Sequence, residues 1–409
     1  MKFKTPGISI IIFFCVELSS LTFAQVGNVS LRSYPFLNLS KNKIVFYGKS
    51  QQKFKNAFQK LSEADSAKGK QFTIFHLGDS HIQADFFPDV VRKKMQTEFP
   101  GKNGGRGFIF PYSIAKSYQP KNYSVSFSGE WAHATNIQAQ PAEELGLAGM
   151  CVATQSQEAT IAFSLANDPL VQYSFNKLRI FLSDTGNTYK IKIDTSMRSV
   201  RAVKDSGFVD VLFGGYRNDA SVTFLREADT GKVILYGFIP QSDSGGVIYG
   251  SAGVTGASVT SFLKCNLLEA QLRVLHPDML IISLGTNDAS GKGFSMVNFE
   301  SVFGTLLKRV RNVLPETAIL LTAPGDSNRR RRKPNPNNKK AEESIFSVAE
   351  ENDTAVWDFY AVMGGARSIK KWFKSGLSSR DRVHLTKRGY ELQGTLLYDA
   401  LMGSYQKLK

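Results

Sequence analysis

Short unbroken apolar runs, each joined to a segment of helical periodicity, constrain this chain more than any other feature. Phe72-Thr-Ile-Phe-His-Leu77 ends at Gly78, and a helical stretch follows from Asp89 to Phe99. Met279-Leu-Ile-Ile-Ser-Leu284 sits between a helical pattern over about 259–275 and another from Phe299 to Val313. Ala318 to Thr322 is a third run; a helix from Glu342 to Asn352 leads to a shorter one near Ala355 to Asp358. Helical spacing also marks Phe54 to Leu61 and Thr386 to Tyr405. Strand-length runs without polar alternation are buried on both faces, which is the position of strands in a parallel sheet covered by helices. The alternation of strand and helix therefore predicts an α/β class with a parallel sheet. Residues 25–44 read as a polar lead-in, and the basic stretch from Asp326 to Lys340 as a loop.

Between about residues 120 and 240 the period changes from helical to two. Val125 and Phe127, Ile161 and Phe163, Ile191 and Ile193, Val222 and Phe224, and Ile234, Tyr236 and Phe238 alternate with polar or small neighbours. Turn residues such as Gly186-Asn187 and Gly214-Gly215 separate them. Short alternating strands at this spacing predict an all-β sandwich. The α/β texture lies on both sides, so residues 45–115 and 246–409 are expected to form one discontinuous domain, with 120–240 inserted as a second.

Lys2 and Lys4 precede an apolar run from Ile8 to Val16, and small residues end at Ala24. This predicts an export signal over residues 1–24, and its run is too short to span a bilayer. No second candidate membrane span is present in the sequence. The formal charge is +16 over 409 residues, which suits an anionic partner. Neither zinc-finger spacing nor an aromatic nucleic-acid-binding pattern occurs, so nucleic acid is not expected. No Cys/His cluster has ligand spacing, and no metal or other cofactor is expected. Beyond residue 24 only Cys151 and Cys265 remain, equally compatible with one disulfide or two buried thiols.

Acyl transfer needs a nucleophile, an oriented base and donors for the developing oxyanion. Ser80, in Gly78-Asp79-Ser80-His81, follows the first buried strand. Asp381-Arg-Val-His384 offers a carboxylate that can orient a histidine base. Asn287 directly follows the second strand, in Gly285-Thr-Asn287-Asp288, and its amide can donate. Gly256, in Gly253-Val-Thr-Gly256, has an N–H left approachable by the missing side chain. Asp288 is expected to be structural, and His81 either to touch substrate or to support the helix start. Gly104, Gly105 and Gly107 suit turns or a cleft rim, and Arg329 to Lys333 a solvated loop or an anion-binding one.

Taken in order, these blocks resemble the SGNH (GDSL-like) hydrolases: Gly78-Asp79-Ser80, Gly256, Gly285-Thr-Asn287-Asp288, and Asp381 with His384. The resemblance implies a flavodoxin-like three-layer sandwich. It also implies a Ser80–His384–Asp381 triad and an oxyanion hole built from the Ser80 and Gly256 N–H groups with the Asn287 side chain. Gly78-Asp-Ser-His-Ile-Gln-Ala-Asp-Phe-Phe87, then Gly104-Gly-Arg-Gly107, then a β-rich segment, resembles the bacterial peptidoglycan O-acetylesterases in particular. That narrower likeness implies an exported, periplasmic or secreted esterase. Its substrate would be an O-acetylated glycan, with the acetyl group on O6 of N-acetylmuramic acid in peptidoglycan. Another acetylated glycan, an O-acetyltransferase, and a glycan-binding protein with a decayed site are the alternatives. Intact Ser80, Asn287, Asp381 and His384 weigh against the last.

Overall fold

The computed structural model describes residues 34–66, 69–97, 103–194, 200–205, 207–291, 293–329 and 333–409. The expected export signal and the middle of the Arg329–Lys333 run lie outside the described residues.

A strand with no polar alternation still has two sides, and here each side serves a different apolar cluster. Phe72, Ile74, Met279, Ile281, Ala318 and Leu320 face one cluster, with Phe54 and Phe58 of helix Ser50–Ser66 and Leu396 and Leu397 of helix Lys387–Leu408. Their neighbours Phe75, Leu77, Leu280, Ile282, Ile319 and Leu321 face the other. That side is closed by Leu306 and Leu307 of helix Met296–Val313 and by Ile345 and Val348 of helix Asn337–Glu351. The sheet between them is ordered Ile44–Phe46, Ala355–Trp357, Ala318–Thr322, Met279–Ser283, Gln71–Gly78, Gly246–Gly253.

The sheet is mixed, not wholly parallel as the sequence predicts. Ile44–Phe46 lies within and just beyond the supposed lead-in and runs antiparallel to Ala355–Trp357. It is a three-residue edge strand with only Ile44 buried, too short to show as an apolar run. The opposite edge strand, Gly246–Gly253, carries no sequence signal either, because Gly246, Gly250, Ser251 and Gly253 interrupt its apolar residues. The single helix expected over 259–275 is two, Val259–Leu263 and Leu268–Leu275. They part where the Leu267 N–H bonds the Leu145 carbonyl instead of one in its own helix. The supposed 326–340 loop contains a short hairpin, Asn328–Arg329 against Lys333–Pro334, and helix Asn337–Glu351 already begins within it.

Residues 123–241 supply two antiparallel sheets. One is ordered Ala132–Thr135, Met150–Thr154, Lys232–Gln241, Phe175–Thr185, Phe208–Arg217, Val200–Asp205. The other is ordered Tyr123–Ser128, Glu158–Leu165, Asp219–Arg226, Tyr189–Asp194. In the second sheet the alternating residues are cross-strand partners: Ile161 opposes Phe127 and Val222, and Phe163 opposes Val125. Phe163 meets Phe175 and Phe238 of the first sheet at ring-centroid distances of 5.8 and 5.3 Å. The same apolar cluster continues through Phe108, edge-on to Phe75 at 5.8 Å, into the helix-covered sheet. Gly107 makes this approach: at φ +78° it lies so close to Gly250 that a Cβ would sit 2.7 Å from the Gly250 nitrogen. The glycine-rich stretch thus lies along strand Gly246–Gly253.

A buried charge cluster fastens the same junction. Asp85, 3% exposed, is bonded by Arg92 of helix Phe86–Thr97 at 2.8 Å and by Arg106. It also accepts from Ser251 Oγ at 2.7 Å and Asn122 Nδ2 at 2.6 Å. Burial pushes its carboxyl up, but Arg106 and Arg92 outweigh burial and hold it well below the usual range. Removing one member of a buried pair leaves an uncompensated charge. Asp85→Asn is expected to lower the free energy of unfolding by roughly 3–5 kcal/mol in a urea titration. A loss under about 1 kcal/mol, the scale of an exposed pair, would contradict this account.

Candidate functional site

Three neighbouring parallel strands end at one level. Gly253 and Ser283 both pair with Gly78, and the chain leaves each strand there toward Gly256, Asn287 and Ser80 respectively. The carboxyl ends of strands in an open α/β sheet are where side chains from separate loops can converge. Glycine at 253 allows the Ser80 turn to sit on its neighbour, since a Cβ there would lie 2.4 Å from the Asp79 carbonyl oxygen and 2.5 Å from the Gln83 nitrogen.

Ser80 opens the short helix Ser80–Gln83, capped by Asp79, whose side chain accepts from the His81 N–H at 2.9 Å. Ser80 Oγ lies 2.9 Å from His384 Nε2, and His384 Nδ1 lies 2.7 Å from Asp381 Oδ2. A carboxylate can only accept, so Nδ1 carries the hydrogen and Nε2 is left to accept from the serine hydroxyl. Asp381 Oδ1 takes the Val383 and His384 N–H groups at 2.9 and 3.0 Å, which needs the left-handed turn at Arg382, φ +53°. Partial burial raises the Asp381 carboxyl, but the His384 ring and the two amides outweigh it and hold it below its ordinary value.

Asn287 belongs to helix Thr286–Ser290, which starts at Gly285 with φ +119°. Its Nδ2 donates to the Ala257 carbonyl at 2.8 Å and lies 3.5 Å from Asp79 Oδ2. The same amide thus touches the residue after Gly256 and the residue before Ser80. Gly256 is exposed on a turn at φ +87°, with Ile137 Cγ2 3.9 Å from where its Cβ would be. Ser80, His384 and Asp381 are brought into direct contact, and Asn287 links the Gly256 turn to theirs.

Asp288 accepts from the Val259 N–H at 3.2 Å and holds the start of helix Val259–Leu263. Burial pushes its carboxyl up to about 6. His81 packs its ring 5.3 Å from that of His384, and its Nδ1 meets Tyr390 Oη at 2.9 Å. Burial and the neighbouring His384 push His81 down to about 3, so it is neutral wherever His384 could act. Beside this pair a small pocket is lined by Asp79, His81, Val383, Leu385 and Gln393 among others. Cys151 and Cys265 are both buried free thiols. Among the described residues no three His, Cys, Asp or Glu side chains stand together as a metal would need, and no helix is long and apolar enough to cross a membrane.

Gln83 is a residue that the sequence reading gave no role. It is buried three positions after Ser80. Its Oε1 accepts from the Thr255 N–H and Oγ, both at 2.7 Å; its Nε2 donates to Ser117 Oγ at 2.6 Å and the Tyr118 carbonyl at 3.0 Å. It thereby joins the Ser80 helix, the Gly256 turn and the Tyr118 loop. The only signal was its place in the block shared with Ser80.

Residues 241–392 match the model of the GDSL-like lipase/acylhydrolase family. The match includes Gly256, Asn287, Asp381 and His384 and leaves out Ser80, beyond the antiparallel segment. No curated protein matches the chain. A solved structure of a peptidoglycan O-acetylesterase superposes with a TM-score of 0.72 at 21% identity, covering 89% of this chain and 99% of that one. A lipase/acylhydrolase from Enterococcus faecalis covers 39% of this chain and 77% of its own, at 23% identity and a TM-score of 0.32. A catalytic mutant of the acetylxylan esterase Axe2 from Geobacillus stearothermophilus covers 39% and 73%, at 18% identity and a TM-score of 0.32. At 21% identity, the likeness to the first of these establishes the fold alone.

Burial pushes the Asp79 carboxyl up to about 7, and the bond from the His81 N–H offsets this only in part. A folded value above the unfolded one means that ionising Asp79 costs stability. The cost is absent below the usual carboxylate range and complete above about pH 7. Asp79→Asn keeps an oxygen for the His81 N–H and cannot ionise. Its melting temperature relative to the parent is expected to rise as pH goes from about 5 to about 8.5; a constant difference would reject the burial argument. Gly253→Ala should push the Ser80 turn off its neighbour and cut ester hydrolysis at least about tenfold, since an ångström of misplacement weakens catalysis strongly. An unchanged rate in the folded variant would show that the close approach does not matter.

Proposed function

We propose that this chain, a carboxylic ester hydrolase carrying a GDSL-like lipase/acylhydrolase domain, is exported and removes O-acetyl groups from a cell-envelope glycan, peptidoglycan in particular. The observation that carries the reading is the unbroken hydrogen-bond path from Ser80 Oγ through His384 to Asp381, at 2.9 and 2.7 Å. Ser80 Oγ attacks the acetyl carbonyl while His384 Nε2 takes its proton, and Asp381 stabilises the imidazolium that results. The carbonyl oxygen, now negative, receives hydrogen bonds from the Ser80 and Gly256 N–H groups and from Asn287. One Asn287 hydrogen is spent on the Ala257 carbonyl and fixes the amide; the other, poorly matched to Asp79 at 3.5 Å, is the one available to the oxyanion. His384 returns its proton to the departing sugar hydroxyl. Water, activated by the same histidine, then releases acetate from Ser80.

The substrate rests on the peptidoglycan O-acetylesterase whose fold matches across nearly the whole chain, and on the export signal and basic charge of the sequence. The antiparallel segment, residues 120–240, is in this reading an inserted β-sandwich that helps hold the polymer. Exposed apolar side chains favour that role: Ile137 in the segment, 50% exposed, lies over the Gly256 turn, and Tyr118 just before the segment, 44% exposed, is tied through its carbonyl to Gln83.

Ser80→Ala is expected to abolish acetate release from O-acetylated peptidoglycan and from an aryl acetate while the protein stays folded. Retained turnover would remove Ser80 as nucleophile. Asn287→Ala should lower kcat roughly 10²–10³-fold with little change in KM, because its donor acts in the transition state. A pure KM effect would make Asn287 a substrate-positioning residue. Acetylated xylan, run beside peptidoglycan, tests the substrate, and a higher kcat/KM on xylan would overturn it.

A further inference from the structure

Residues 364–390, which contain the Asp381–His384 turn, carry eight Lys and Arg against one acidic residue, in a chain of net charge +16. Helix Ser368–Lys374 buries Ile369 and Trp372 and turns Lys370, Lys371 and Lys374 to solvent, as their spacing of three and four residues requires. The helix is held against the turn, since Phe373 lies 4.7 Å under the Arg382 guanidinium and the Thr386 N–H bonds the Leu377 carbonyl at 2.9 Å. Arg380 is exposed immediately before Asp381. On another side, the Asn328 N–H bonds the Arg382 carbonyl at 2.8 Å, which docks the hairpin bearing Arg329 and Lys333 on the same turn.

Counter-charge is sparse: the buried Asp326 carboxylate accepts from the Ile369 N–H at 3.0 Å at the start of this helix, away from its exposed lysine face. From Gly364 to Tyr390 the only acidic residue is Asp381, and its two oxygens are taken by the His384 ring and two amides. Among the described residues Lys370, Lys371, Lys374 and Arg380 form no ion pair, whereas basic residues elsewhere, such as Lys60, Lys70, Lys177 and Lys232, are paired with acids. A solvated helix face normally mixes signs, and a one-signed field beside a site raises the local concentration of the opposite charge.

We infer that this basic rim is a binding surface for the anionic groups of a polymeric substrate, a glycan strand carrying carboxylates at intervals. The inference rests on the Ser80 reading only for the chemistry that follows binding. Carboxylates on the strand lie against Lys370, Lys371, Lys374 and Arg380 while an acetylated sugar reaches Ser80. Single exposed contacts are weak and screened by salt, so the rim acts through several contacts at once. A small neutral ester has nothing for it to hold.

The test uses the full-length protein with Lys370→Gln, Lys371→Gln and Lys374→Gln combined, at low and high sodium chloride. With O-acetylated peptidoglycan the triple variant is expected to raise KM about tenfold at low salt and to lose most of the salt dependence of the parent. Its kcat/KM on 4-nitrophenyl acetate and on neutral acetylated xylan should equal the parent's. An unchanged KM and salt response on peptidoglycan would overturn the inference. So would a parallel loss on 4-nitrophenyl acetate, which would mean a disturbed site. Binding is also read without turnover, by co-sedimentation with insoluble peptidoglycan in the Ser80→Ala background. If the Ser80 reading fails, whether because the parent hydrolyses nothing or because Ser80→Ala retains turnover, salt-sensitive sedimentation that the three lysine substitutions abolish still supports the rim. Equal sedimentation with and without them rejects it, as does a loss confined to phosphatidylglycerol vesicles, which would make the rim a membrane contact.

Discussion

A carboxylate sealed from water must be met by cations and donors, and Asp85 draws them from four parts of the chain. Arg92 comes from the helix after the Ser80 turn and Ser251 from the edge strand; Arg106 comes from the glycine-rich stretch, and Asn122 from the entry to the antiparallel sheets. The cost of burying the charge is offset only if all of them arrive together. The position of the antiparallel sheets on the α/β layer is therefore tied to a residue five positions from Ser80. The apolar path from Phe75 through Phe108 to Phe238 fills the same junction. Together they make the frame on which the strand ends at Gly78, Gly253 and Ser283 stay level.

The site set on this frame puts two neighbouring carboxyls to opposite uses. Asp381 is partly exposed and richly supplied with donors, so it remains charged and fixes the His384 ring. Asp79 is buried beside Asp288 with fewer compensations, and its charge is opposed. Its side chain serves as a helix cap and as a neighbour to the Asn287 amide. Gln83, an uncharged residue, positions two segments at once, since one amide group reaches both the Gly256 turn and the Tyr118 loop. An amide can donate and accept at once without bringing a charge to the site.

How much of this is legible in the sequence depends on how local the signal is. The runs at 72–77, 279–284 and 318–322 announce themselves because both of their faces are buried. Ser80, Asn287 and the Asp381–His384 pair are legible because each directly follows such a run or forms a short local motif. Ile44–Phe46 is too short to register, and Gly246–Gly253 is hidden by the very glycines that let Gly107 and the Ser80 turn approach it. Gln83, Asp85 and Tyr390 are not legible as positioning groups, because their partners lie far away in sequence: Thr255 for Gln83, Ser251 for Asp85 and His81 for Tyr390. The split of the 259–275 helix is likewise decided by a distant carbonyl, that of Leu145.

The hydrogen bond between Ser80 and His384 joins residues 304 positions apart. Closing so long a loop has an entropic cost that grows slowly with length, but the contact cannot form until the intervening structure is in place. The Asp85 cluster and both antiparallel sheets lie between the two in sequence. Ser80 is synthesised well before His384. A partly folded chain therefore holds Ser80 without its hydrogen-bond partner, and the pair forms only once the Asp381–His384 turn docks.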